Sequence, residues 1–483
     1  MLDKRQFFIG TEQINGWKSL PCLNGRYLSW QEDLNVTTNH DGVFIIGDAW
    51  QADPAQCSPY EIIRGWSGST DDQTIFQAEE SWCGKYVLIV GTRVFQDCSS
   101  LFPTFYDDRG NLSSSLRILA EKNGEKIRYP KAKHGVGSTF IPGPCTMYPN
   151  IRKIMASQVY DFSPGGGRAG LYERPLLPNG IREKDAETLE RFSNCFIHSI
   201  REMRKAISGD FKVALTGGVD SRTLLSLIEK SGVDYSCFTF ENEFMHSGGD
   251  VEIPPVLCET VGRPYSYFSL EKGSYSRKKE NEYLHHSAGT ARDGDLYEYS
   301  HGVWDRVVGG KETVVLYSGI WETAVEYFKG LQKNPTDLQE VLRVFPDMKY
   351  DPVRLASLHE WFTLLENSPW RLLITDSDRF YWEQRGGAWM SYISQAFDVV
   401  DHGRMIQPCN CRLFLSYLFG WPEEERKAKA HQKEIIGYNM PELLRVPFAD
   451  DYPRPKIPLY QKIKNRTKKY YYLTRWYGLN WLR

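Results

Sequence analysis

The sequence predicts two successive structural units. A β-rich α+β unit occupies residues 1 to about 180, and an α/β unit built on a parallel sheet covers 181–455. Three observations carry this. Short apolar runs bounded by Gly, Asp and Pro recur through the first part. Strand-length and helix-length segments then alternate from Val213 to Tyr317, the pattern of a parallel sheet covered by helices. Within that alternation one apolar run, Val213 to Leu215, stops at Thr216-Gly217-Gly218 before Asp220-Ser221 opens a helix.

In the first part, Gly42–Gly47, Lys85–Val90 and Ser138–Ile141 read as strands, with a helix over Leu116–Glu121 between them. Gly165-Gly-Gly167, followed by Pro175, Pro178 and Gly180, marks a boundary. From Asp185 to about Ser208, Leu189, Phe192, Phe196, Ile200 and Met203 recur at helical spacing, so a long amphipathic helix opens the second part. Strands are then expected at Val213–Leu215, Tyr235–Phe240, Tyr265–Leu270 and Val314–Tyr317. The intervening helices cover Ser221–Lys230 and Val251–Val261, the latter tolerating Pro254-Pro255 near its start. Beyond residue 336 the chain reads as mostly helical, and residues 456–483 form a basic, aromatic tail.

The strand, glycine turn and helix N-terminus at 213–227 make an anion site. Paired glycines let backbone N–H groups converge on phosphate oxygens, and the helix start favours negative charge. Thr216 and Ser221 add hydroxyl donors, and Asp220 can hold the magnesium that accompanies a nucleotide. No Gly-Lys-Ser/Thr follows, so this is not a Walker loop.

Bulk composition narrows the function. A formal charge of −2 gives no global basis for binding nucleic acid. Ten scattered cysteines without a CxxC pair fit a reducing cytoplasm, and Cys409-x-Cys411 reads as two half-buried thiols on one side of a strand. There is no signal-peptide pattern at the start and no apolar run of membrane-spanning length.

The glycine loop resembles the pyrophosphate loop (PP-loop) of ATP pyrophosphatases, Thr216 replacing the usual first serine. Across nearly its whole length the chain resembles the asparagine synthetase B superfamily, including its β-lactam synthetases and lasso-peptide cyclases. In the first part Phe44–Asp48, Gly84–Val90, Phe105–Asp108, Ser113–Leu116 and Ile141–Gly143 are similar in layout to that family's Ntn-hydrolase-like glutaminase sandwich. The family nucleophile is a cysteine directly after the initiator methionine. Here Leu2 stands there, so the resemblance implies a scaffold without glutamine hydrolysis.

The second part resembles the family's adenine nucleotide alpha hydrolase-like synthetase domain. That implies ATP and Mg2+, nucleotide binding by Thr216, Gly217, Gly218, Asp220 and Ser221, and magnesium ligation by Asp220. Asp250-Val-Glu252 resembles an acidic pair near adenine and ribose, although acids in a first helical turn also complement the helix dipole. Tyr317–Glu322 stands where the family has a second glycine loop with the other metal ligand. It is shorter than the family's and carries Trp321 where small residues are expected, leaving Glu322 as the nearby acid. Glu383 occupies the position of an amine-deprotonating glutamate, with an ion pair to Arg379 or Arg385 as the alternative. Lys429, about a dozen residues before Met440-Pro-Glu-Leu443, matches the family's oxyanion-stabilising lysine, with Lys427 and Lys433 as rivals.

The resemblance implies an ATP-dependent ligase that adenylates a carboxylate and passes the acyl group to ammonia or an amine. Natural-product or surface-polysaccharide biosynthesis is the expected setting, with a small-molecule, glycan or peptide acid as substrate. Intramolecular lactam or macrolactam formation, RNA thiolation and a non-catalytic nucleotide-binding partner are the alternatives. A homodimer and a weak membrane-surface contact through the tail are left open.

Overall fold

The computed structural model describes residues 4–22, 25–125, 141–162, 170–177, 185–240, 248–269, 304–325, 352–398 and 402–452, with 463 and 467. Seventeen strands lie among them. In chain order they are β1 Phe7–Gly10, β2 Lys18–Pro21, β3 Tyr27–Trp30, β4 Val36–Thr38, β5 Val43–Gln51 and β6 Trp82–Val90. Next come β7 Arg93–Gln96, β8 Phe105–Asp107, β9 Leu112–Ser113, β10 Ile151–Lys153, β11 Gln158–Asp161 and β12 Gly170–Glu173. The remainder are β13 Asp210–Ala214, β14 Ser236–Phe240, β15 Tyr265–Phe268, β16 Thr313–Leu316 and β17 Gly403–Ile406.

The first twelve strands form two six-stranded antiparallel sheets, ordered β10-β8-β9-β1-β3-β2 and β12-β11-β7-β6-β5-β4. Side-chain alternation packs one on the other. On β5, Phe44 and Ile46 point between the sheets with Phe7, Ile9 and Leu28. Val43 and Ile45 point the opposite way, against Ile63, Trp66 and Ile75 of the outer helical layer. A second outer helix, Leu116–Asn123, covers the other sheet through Leu116 and Leu119. The result is helix on sheet on sheet on helix.

The last five strands form a parallel sheet ordered β15-β14-β13-β16-β17. The chain runs outward from β13 through β14 to β15, then returns to place β16 on the other side of β13. That reversal leaves a crevice beyond the C-terminal ends of β13 and β16, where open α/β sheets bind ligands. The helix Ala186–Ala206 precedes the sheet, as its apolar periodicity predicts, and buries Phe192, Phe196, Ile200 and Met203.

The two parts share one core. Trp50 and Cys83 of the sandwich are buried with Phe196, Phe211 and Phe414, and the Trp50 indole donates to Ser199 Oγ at 2.8 Å. Lys85 pairs with Asp398, and Arg404 with Asp48 at 2.8 Å. The described residues after 336 are mostly helical as expected, with β17 added to the parallel sheet. Cys409 and Cys411 are corrected, being fully buried on the connection from β17 to the helix Arg412–Phe419 rather than on a strand. Burial pushes both thiols well up, and all ten cysteines are free. The expected strand at Ser138–Ile141 lies mostly outside the described residues, as do the Gly165–Gly167 boundary and most of the C-terminal tail. Among the described residues no helix is long and apolar enough to cross a membrane.

Candidate active site

At the end of β13 the chain turns through Leu215–Gly218 into the helix Val219–Ser231. Gly218 is its N-cap and offers no side-chain acceptor, so the first-turn N–H groups keep their donors for a ligand. The hydroxyls shape the loop. Thr216 N donates to Ser221 Oγ at 3.1 Å, and Gly218 N to Thr216 Oγ1 at 3.3 Å. Gly217 is required by close approach, since a Cβ there would lie 2.4 Å from the Gly249 carbonyl oxygen.

Arg222, one residue after Ser221, fastens this loop to a distant segment. Its buried guanidinium donates to the carbonyls of Leu443 (2.9 Å), Val446 (2.6 Å), Pro447 (2.7 Å) and Gly217 (3.3 Å). Ala449 N also donates to the Gly217 carbonyl, at 2.9 Å. The segment after Met440 thereby braces the loop from behind.

The loop opens into a cleft of about 330 Å³. Thr216, Asp220 and Ser221 line its floor, Phe238–Phe240 and Asp250 one wall, and Tyr317–Gly319 with Glu322, Arg385 and Trp389 the other. Asp250 thus reaches the cleft, whereas Glu252 is exposed and does not line it. Asp220 receives Lys429 Nζ on Oδ2 and Gln432 Nε2 on Oδ1, both at 2.7 Å. Lys429 occupies the left-handed region, φ 55°, as N-cap of the helix Ala430–Asn439. Its rivals are engaged elsewhere. Lys427 binds Glu423 and Glu424, and Lys433 lies over the Phe448 ring.

Glu322 lies in a 3-10 turn, Gly319–Ala324, beyond β16. Trp321 anchors that turn: it is fully buried, 5.6 Å from the Phe196 ring and 6.1 Å from Phe192. This accounts for a tryptophan where small residues were expected. Tyr381 donates to Glu322 Oε2 at 2.6 Å. Burial and the nearby Asp220 raise the Glu322 carboxyl above the usual range, against Lys429, Tyr381 and Arg385. Burial alone would lower the Lys429 ammonium, but Asp220 and Glu322 raise it instead. His431, between the two Asp220 partners, is held neutral: burial, Arg426 and Lys429 push it down to about 3.

Two carboxylates and a fixed cation from three distant segments therefore surround one loop. Asp220 and Glu322 carry the hard oxygen donors that would hold a magnesium ion, which would supply charge neutralisation to a nucleotide's phosphates. Among the described residues there is no group of three or more His, Cys, Asp or Glu that could hold a metal ion.

Glu383 is not brought to this cleft, which corrects the expectation that it meets the incoming amine. It is 1% exposed, with Trp361 Nε1 donating to Oε2 at 2.6 Å and Arg379 Nε to Oε1 at 2.9 Å. The ion-pair alternative is the observed one. Two cleft residues, Arg385 and Trp389, escaped the sequence reading, as did Gln432 and Tyr381, which hold Asp220 and Glu322. Gln432 was signalled by its helical spacing from Lys429. The other three lie on a π-helix, Tyr381–Met390, whose phase no α-helical pattern anticipates.

No protein-family model and no curated protein matches the chain. Solved structures similar over part of it include the following three. An NH3-dependent NAD synthetase from Campylobacter jejuni is 11% identical, covering 37% of this chain and 83% of its own, with a TM-score of 0.21. A U34-tRNA thiolase from Methanococcus maripaludis is 13% identical over 61% of this chain and 80% of its own, TM-score 0.24. An NMN synthetase from Francisella tularensis is 16% identical over 47% and 92%, TM-score 0.20.

Proposed function

We propose that the chain is an ATP-dependent, AMP-forming carboxylate–amine ligase of the PP-loop class, asparagine synthetase-like in its synthetase domain. The observation that carries this is the convergence of Asp220, Glu322 and Lys429 around the Thr216–Ser221 loop at the sheet's reversal point. The loop's donors hold the β- and γ-phosphates of ATP, which leave as pyrophosphate when a substrate carboxylate attacks the α-phosphate. Asp220 and Glu322 would hold Mg2+, which would neutralise phosphate charge. Lys429 turns from Asp220 towards the phosphorus and the tetrahedral oxyanion, where a cation offsets developing charge. Ammonia or an amine displaces AMP to give the amide. The sandwich acts as a scaffold, because its core is continuous with that of the synthetase part.

Carboxylate-dependent exchange of pyrophosphate into ATP tests this directly. Exchange that requires both Mg2+ and an acid, and disappears in Asp220→Ala, is the expected result. ATP consumption that depends on tRNA instead, or nucleotide binding with no exchange for any acid in a broad panel, would overturn the ligase reading.

A further inference from the structure

On the Glu322 side of the cleft stand two side chains that the adenylation step leaves without a role. Of the ten residues Tyr381–Met390, eight are buried, and the two partly exposed ones, Arg385 and Trp389, both line the cleft. They are four apart on a helix with more than four residues per turn, so they stand on one face. The Arg385 guanidinium lies 3.3 Å from the Trp389 ring centroid, a stack that orients its planar fork. The backbone beneath is tightly fitted: a Cβ on Gly319 would lie 1.7 Å from Met390 Cε.

This wall lies on the β16 side of the loop, opposite Phe238, Phe240 and Asp250 on the β14 side. The cleft already contains the carboxylates of Asp220 and Glu322 and must also accept a polyphosphate. Lys429 and a bound magnesium would answer the polyphosphate, so a second negative charge on the acid calls for a cation of its own.

We propose that Arg385, held on Trp389, is a specificity-determining subsite for a second anionic group on the acid substrate. That substrate is a dianion whose other carboxylate faces the loop. The naming of the bound acid as the one activated rests on the ligase reading; the anion subsite itself does not. A second carboxylate and a phosphate or phosphonate share the bidentate chemistry a guanidinium recognises.

The test is calorimetric binding to the full chain saturated with Mg2+ and α,β-methylene-ATP. Butyrate, glutarate and 4-phosphonobutyrate serve as probes of matched length. At least one dianion should bind roughly ten- to hundredfold more tightly than butyrate, the range expected for hydrogen bonds to a charged group. Whichever dianion binds better identifies the source of the second charge. The preference should vanish in Arg385→Gln, survive in weakened form in Arg385→Lys, and fall in Trp389→Leu, with nucleotide-analogue affinity unchanged in all three. Equal binding of mono- and dianions, or a preference that persists in Arg385→Gln, would overturn the proposal. So would a tenfold loss of nucleotide affinity in Arg385→Gln, which would assign Arg385 to the ATP phosphates. If dianion selectivity follows Arg385 but no acid supports pyrophosphate exchange, the subsite stands and the ligase reading falls.

Discussion

Lys429 Nζ lies 2.7 Å from Asp220 Oδ2, joining residues 209 positions apart in the chain. The left-handed backbone of Lys429 at a helix start fixes where the side chain begins. Lys429→Ala should lower the rate of carboxylate-dependent pyrophosphate exchange by about 10²–10³, the loss typical of removing one preorganised transition-state contact. Lys427→Ala and Lys433→Ala should stay within a few-fold of wild type, because those amines serve Glu423, Glu424 and Phe448. A normal exchange rate in the Lys429 variant would remove it from the mechanism.

Arg222 fastens the loop, and Gly217 gives it the room to pass close to Gly249. Arg222→Ala would leave four carbonyls without their shared donor, in a place where the side chain is fully buried. Hydrogen bonds from a charged group are worth about 1.5–3 kcal/mol each, and their loss is not additive, so destabilisation of about 3 kcal/mol or more is expected in urea unfolding. Gly217→Ala should cost stability too and should weaken nucleotide binding. The added Cβ meets backbone at Gly249, so the loop itself must shift. Unchanged nucleotide affinity in Gly217→Ala would show that the loop is not the phosphate cradle.

Which parts of this arrangement were legible in the sequence follows from the range of the forces involved. The helix Ala186–Ala206, β13 and the glycine turn are set by local periodicity and turn chemistry, and they appear where the pattern places them. β17 did not stand out. Its four residues, Gly403-Arg-Met-Ile406, carry no alternation of their own and are a strand because they pair with β16. In the site, Asp220 was legible from its loop. The partnership of Asp220 with Gln432, and of Glu322 with Tyr381, depends on tertiary approach across 212 and 59 positions. Glu383 misled for a related reason: a π-helix turns it towards Arg379 and Trp361, while Arg385, read from sequence only as its ion-pair partner, faces the cleft.

Glu383 is expected to matter for stability rather than for proton transfer. Its carboxylate balances Arg379, which also binds Ser368 and Glu173. Glu383→Ala leaves that buried cation with less compensation, and breaking such a pair from one side commonly costs about 3–5 kcal/mol. Glu383→Gln keeps both oxygen and shape in part, so its amide-forming rate should fall only a few-fold while its melting temperature drops. A Gln variant that folds with wild-type stability yet loses amide formation by 10³ would restore Glu383 as the base.

Lys153 gives the fold a defined pH dependence. It ends β10 at 1% exposure, and its Nζ has no hydrogen-bond partner among the described residues. Burial pushes the amine down to about 7, only partly opposed by Glu383 and Cys145. Since the folded-state value lies below the unfolded one of 10.5, the unfolded chain binds more protons between those values. Stability therefore rises with pH from about 7 towards 10.5, and below about 7 the full penalty of a buried ammonium is felt. The size of the displacement sets that penalty at several kcal/mol, on the order of 4–5. Lys153→Met keeps the volume and removes the titrating group. It should raise stability at pH 7 by roughly 1–4 kcal/mol, since relaxation around the amine recovers part of the penalty in the native chain. The gap between variant and wild type should level off below about pH 7 and close as pH rises towards 10.5. Urea unfolding at pH 6, 8 and 10 measures it, and a gap that stays constant with pH would show that Lys153 keeps an ordinary pKa in the folded chain.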